Sequence, residues 1–217
     1  MANHHRAIEQ HYSDSSSHYQ CSVCDSDEES WNDLLEHHRS TAHQIVCQGC
    51  ADGTGIIWGE SSKAYRDHLV EENVCDECEA HFASPSNLEN HKLVHVDRSI
   101  ECYGCDSVFK TYPHMILHID SGGCGSNLDT QDLNMSAAGC FQWRKYIDED
   151  YREEMLKGQD LSELYDVVVY PFRCPVCEVT FSKLSGLLQH SASQACNQTL
   201  ESGAIGKLVR WLGKQHG

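Results

Sequence analysis

Pairs of cysteines separated by two residues occur five times: Cys21/Cys24, Cys47/Cys50, Cys75/Cys78, Cys102/Cys105 and Cys174/Cys177. Thiolates at that spacing meet across a tight turn and can share one cation. Four of the pairs are followed, after twelve intervening residues, by a histidine: His37, His91, His118 and His190. A fourth donor follows after three to five further intervening residues, as His43, His95, Cys124 and Cys196. Four soft or borderline donors of this kind close a tetrahedral shell around Zn2+, the shell of a structural site with no open position.

The spacing also dictates the elements that must hold these donors. A short hairpin brings the two thiolates together, and a helix carries the later pair on one face. The apolar filler agrees: Phe82 and Leu88, Phe109 and Met115, and Phe181 and Leu187 occupy matching slots. The first unit keeps Leu34 but has Glu28 in the aromatic slot, so Trp31 or Tyr19 must fill that space. Units of about 25–30 residues cannot bury enough surface to offset chain entropy, and metal binding supplies the deficit, roughly 10–16 kcal/mol per site. The fold class expected is therefore small zinc-stabilised α+β (ββα) units in tandem, joined by a helical acidic spacer, with no single large core.

The second unit is irregular. Seventeen residues separate Cys50 from His68, with Trp58 near the aromatic slot and Tyr65 in the leucine slot. The next donor in reach is Cys75, but the third unit fails without it, so Cys75 goes to the third unit. The second unit then has Cys47, Cys50 and His68, with Glu71, Glu72 or water as a fourth ligand, or it is an unmetallated remnant, the reading preferred. Four zinc ions are expected, with a fifth only if this shell completes.

The chain of 217 residues has thirteen cysteines, fifteen histidines, and 33 acidic against 16 basic side chains, a net charge of −17. No apolar leader or membrane-length stretch stands out, so the compartment expected is reducing, nuclear or cytoplasmic, and not secretory. The expected divisions are a disordered polar tail (1–18), the units at 19–44, 45–73, 74–97 and 100–124, an acidic helical spacer (125–170), an isolated unit (171–197) and an amphipathic helix (198–217). In the spacer, Cys140, Trp143, Ile147, Tyr151 and Met155 are spaced as one helical stripe, and Cys140 reads as a buried apolar residue. In the tail helix Ile205, Leu208, Val209 and Leu212 share a face, with Lys207, Arg210 and Lys214 among the polar positions.

These units resemble the classical C2H2 zinc-finger superfamily. The segments "CYGCDSVFKTYPHMILHIDSGGC", "CFQWRKYI" and "FRCPVCEVTFSKLSGLLQHSASQAC" resemble acidic multi-finger proteins of filamentous fungi of largely undefined function. The first resemblance implies zinc binding; the second carries no activity over.

A DNA-reading finger places helix positions −1, 3 and 6 against bases and uses Lys or Arg on phosphates. Those positions are Ser30, Asp33 and Glu36 in the first unit and Ser84, Asn87 and Asn90 in the third. They are Thr111, His114 and Leu117 in the fourth, and Lys183, Gly186 and Gln189 in the last. None is arginine. Residues 19–124 hold 6 Lys/Arg against 19 Asp/Glu, a net of −13, which repels phosphate. Two functions stay open: a protein-interaction scaffold or adaptor, with transcriptional regulation as its setting, and a nuclear DNA-binding protein using fingers 3–5. No enzyme, membrane association or small-molecule substrate is expected.

Overall fold

A computed structural model describes residues 19–59, 63–193 and 195–217. The polar tail 1–18 lies outside the described residues. The described residues divide into two compact units, parted between His95 and Val96.

The first unit opens with a hairpin of β1 (Tyr19–Gln20) and β2 (Asp27–Glu28), followed by α1 (Trp31–Thr41). Ser30 caps α1 by accepting the Asp33 N–H, and Ala42 ends it in the left-handed region. Next come β3 (Ile45–Cys47), the kinked turn α2 (Cys50–Gly53), β4 (Ile56–Trp58), α3 (Lys63–Glu71) and α4 (Pro85–Lys92). Strands β3 and β4 pair antiparallel, with Cys47 opposite Ile56. The third unit has no regular strand; a single bridge joins Val74 to His81. Apolar burial here is thin. The buried residues are Leu34, Leu35, Val46, Val74 and several of the cysteines, and α4 buries none of its residues.

The second compact unit, from Val96 on, contains β5 (Ile100–Glu101) and β6 (Val108–Phe109), then α5 (Tyr112–Asp120) and α6 (Thr130–Gly139). It continues through α7 (Glu149–Leu156), α8 (Leu161–Tyr165), β7 (Phe172–Arg173), β8 (Thr180–Phe181), α9 (Leu184–Ala192) and α10 (Gly203–His216). One hydrophobic cluster ties these elements together, from Met115, Ile116 and Ile119 through Leu133, Tyr146, Ile147, Met155 and Phe172 to Leu184, Leu188, Ile205, Leu208 and Leu212. Among the described residues no core runs the length of the chain, but fingers 4 and 5, the spacer and α10 share this one.

Two expectations therefore change. The last finger is not isolated. Helix α9 buries Leu187 within its own finger and uses Leu184, Ser185 and Leu188 against α5. The Asp120 carboxylate of α5 accepts the Ser185 N–H at 2.8 Å, and its carbonyl accepts from Lys183 Nζ at 2.7 Å. Burial raises the Asp120 carboxyl, while the Ser185 amide opposes the shift. Finger 4 thus caps the helix of finger 5, whose own N-cap residue, Lys183, contributes no side-chain cap.

The spacer stripe, in turn, is not one helix. Helix α6 stops at Gly139, Cys140 is extended, a 3₁₀ turn spans Trp143–Lys145, and Ile147 bridges to Phe172 before Asp148 caps α7. Cys140, Ile147 and Met155 all reach the core, as the apolar pattern requires, but from three different segments. In α10 the apolar face is as expected: Ile205, Leu208 and Leu212 are buried and Val209 packs beside them.

Candidate metal centres

Five clusters bring four donors each within 4.8 Å of one another. A tetrahedral zinc with Zn–S near 2.3 Å and Zn–N near 2.0 Å spaces its ligands about 3.3–3.8 Å apart, so the clusters fit that ion. In the first cluster, Cys21 Sγ lies 3.6 Å from His43 Nδ1 and Cys24 Sγ 3.3 Å from His37 Nε2. In the third, Cys75 lies 3.4 Å from His95 Nε2, Cys78 lies 3.1 Å from His91 Nε2, and the two histidine nitrogens are 3.2 Å apart. The fourth joins Cys102, Cys105, His118 and Cys124, with the Cys102 and Cys124 sulfurs 3.7 Å apart. The fifth joins Cys174, Cys177, His190 and Cys196, with 3.6 Å between the Cys174 and Cys196 sulfurs. Cys75 stands with the third unit.

Finger 2, at 45–73, is not a remnant. Cys47, Cys50 and His68 meet a fourth donor, His81, that comes from the hairpin of the third finger. His81 Nε2 lies 3.3 Å from Cys47 Sγ and 3.7 Å from Cys50 Sγ, and His68 Nε2 lies 3.4 and 3.3 Å from the same sulfurs. Neither Glu71 nor Glu72 joins this cluster. Glu72 instead places Oε2 3.7 Å from His68 Nδ1 and 3.3 Å from His81 Nδ1. On His81 the 3.3 Å approach places a carboxylate on the far nitrogen, which fixes ring orientation and strengthens the ligating nitrogen. Glu28 does the same for His37 Nδ1 at 3.1 Å, which explains an acid in the first unit's aromatic slot.

The approach of finger 3 to finger 2 has its own fittings. Glu79 Oε2 accepts the Gln48 N–H at 2.6 Å and pairs with Arg39 Nη2 at 2.7 Å, joining all three fingers of the first unit. A Cβ at Gly49 would run into the Glu79 carbonyl oxygen and the His81 ring, so this position has to be glycine. Trp31 Nε1 donates to the Thr54 carbonyl at 2.6 Å, linking fingers 1 and 2. Trp31 and Tyr19 lie together, with ring centroids 6.3 Å apart.

Aromatic rings back the ligating imidazoles: Trp58 stacks on His68 at 4.7 Å, and Phe82, Phe109 and Phe181 sit 4.5, 4.9 and 5.1 Å from His91, His118 and His190. The sulfurs differ in their surroundings. Hydrogen bonds from Ser107 bring the Cys105 thiol down to about 6, poised as a thiolate. Burial and the adjacent Cys47 sulfur push the Cys50 thiol up to about 12, and that thiol gives up its proton when it ligates a metal.

Spacing does not point to His81, because it gives each unit a shell of its own. A signal was available. Between His43 and His114, the histidines 68, 91 and 95 are all assigned by spacing, and His81 is left over beside a site one ligand short. Replacing His81 with alanine should lower the zinc count by one and leave the third finger loaded, and cysteine there should restore the count. Native mass spectrometry reads both results.

These clusters define a zinc-finger protein with several metal-binding sites. Residues 74–95 match the family model described as zinc finger, C2H2 type. That is the unit with both histidines at regular spacing and both apolar slots filled. The other four depart from the pattern through an acid in the aromatic slot, an insertion with a borrowed ligand, or a cysteine as fourth donor. No curated protein and no solved structure matches the chain.

Proposed function

We propose that the chain is a zinc-stabilised protein-interaction scaffold of the nucleus or cytoplasm, with no catalytic role for its metals. The observation that carries this reading is how the helix positions that would face bases are used. Ser30, Ser84 and Thr111 accept backbone N–H groups as helix caps, and Lys183 donates to the Asp120 carbonyl. Gly186 offers no side chain. The exposed remainder, Asp33, Glu36, Asn87, Asn90, His114, Leu117 and Gln189, contains no cation beyond a histidine. With a net of −13 over 19–124, this surface begins from repulsion toward a phosphate backbone. Each cluster supplies four protein donors, which supports structural sites rather than a metal-bound water. Among the described residues no helix is long and apolar enough to cross a membrane.

Recovery of partners from cell extract with and without nuclease tests the reading. Partners should persist after nuclease, and their complete loss would overturn it in favour of nucleic acid. On duplex DNA, the zinc-loaded chain should show only weak association that falls steeply with salt. Tight, sequence-selective binding that weakens on substituting Asn87, Asn90 or His114 would reject the scaffold.

A further inference from the structure

Helix α10 presents Lys207, Arg210 and Lys214 on one exposed face, at intervals of three and four residues. Among the described residues none of the three is ion-paired to a carboxylate, although the chain has twice as many acidic as basic side chains. The polar contact found here is Arg210 Nη1 donating to the Glu201 carbonyl. Beside this stripe stands Phe141, 71% exposed, with Lys207 Nζ 5.5 Å from its ring centroid. Phe141, Trp211 and the three cations line one shallow hollow. Beneath it the helix is fixed. Ile205, Leu208 and Leu212 are buried, Trp211 Nε1 donates to the Ser136 carbonyl at 2.8 Å, and Ser136 Oγ lies 2.8 Å from His216 Nε2.

Resting on the scaffold reading above, we propose that this face docks a short acidic segment of a partner protein that also carries a large apolar side chain. Its carboxylates meet Lys207, Arg210 and Lys214, which span about 10.5 Å of helix, and its apolar side chain enters the hollow between Phe141 and Trp211. Charge complementarity selects an acidic occupant, and the exposed phenyl ring selects one with an apolar group. A duplex is a poorer fit. It carries one charge per about 1.7 Å along its length, so its phosphates run on well past three cations and onto the surface of a chain of net charge −17. A short segment places a few carboxylates on three cations and extends no further.

The test uses the zinc-loaded full chain and a short fluorescent peptide of alternating glutamate and leucine, with its glutamine counterpart and a random duplex as controls. The acidic peptide should bind in preference to both. The variant Lys207→Glu/Arg210→Glu/Lys214→Glu, confirmed as folded by an unchanged zinc count, should lose about tenfold or more in affinity. Phe141→Ala should weaken binding several-fold while leaving its salt dependence unchanged. Equal binding of the glutamine peptide, full retention by the charge-reversed variant, or tighter binding of the duplex would each overturn the proposal. Failure here with nuclease-resistant partners in extract refutes this docking face alone; nuclease-sensitive partners refute the scaffold reading itself.

Discussion

Replacing Cys75 with serine should remove two zinc ions from the chain rather than one. Cys75 ligates in the third finger, and its backbone also shapes the turn that presents His81. Cys75 N–H donates to the Ala80 carbonyl at 2.9 Å, and Glu79 N–H donates to the Cys75 carbonyl at 2.8 Å. His81 lies three residues beyond the ligand Cys78 and is bridged to Val74. With the third metal lost, little remains to hold that hairpin: α4 buries no residue, and Phe82 and Leu88 are only partly buried. The second site then falls from four donors to three. Native mass spectrometry of the loaded variant should show three zinc ions where the parent shows five. Cys102→Ser, at a site that shares no ligand with another finger, should cost one. Four ions in the Cys75 variant, with His81 still ligating, would mean that Glu79, Arg39 and Gln48 hold the hairpin in place without its metal.

The same residues mark the limit of what spacing can reveal. Four shells follow a local rule, two cysteines on a turn and two donors on the next helix, and local rules are legible because the chain segment carries the whole geometry. The His81 contribution is non-local in the sense that matters: it belongs to one finger's hairpin and another finger's metal, and no fixed interval announces it. The shared core of the second unit was hidden in a related way. Met115 and Leu187 occupy the expected finger slots, yet Ile116, Ile119, Leu184 and Leu188 form a second apolar face on each helix that a self-contained finger does not need. That second face was in the sequence as surplus hydrophobicity. Its partner was not, since the pattern that shows a helix must bury two faces does not say against what. The spacer shows the opposite error. A 3.6-residue period matched Cys140, Ile147 and Met155, and all three are buried, but the break after Gly139 and the bridge from Ile147 to Phe172 deliver them from different elements.

Chelation should separate the two units. In residues 19–95 several of the most buried side chains are themselves cysteine ligands, and the cluster around the second site consists of Cys47, Cys50 and Val74 with partly buried Ile56, Trp58, Tyr65 and Leu69. Removing metal there deletes the centre of the fold and leaves 15 acidic against 4 basic side chains to repel one another. In residues 96–217 the buried cluster has nineteen members, and Cys174 is the one metal ligand among them. Each fully buried leucine, isoleucine or methionine there contributes roughly 1.5–3 kcal/mol whether or not zinc is bound. Hydrogen exchange on the full chain, with and without a strong chelator, should show protection lost throughout 19–95. Slowed exchange should persist in α5, α6, α9 and α10, while the hairpins around Cys102/Cys105 and Cys174/Cys177 open. Simultaneous loss of protection in both units would show that the aliphatic cluster of the second unit cannot hold without its two metals, and that its fingers order the core rather than the reverse.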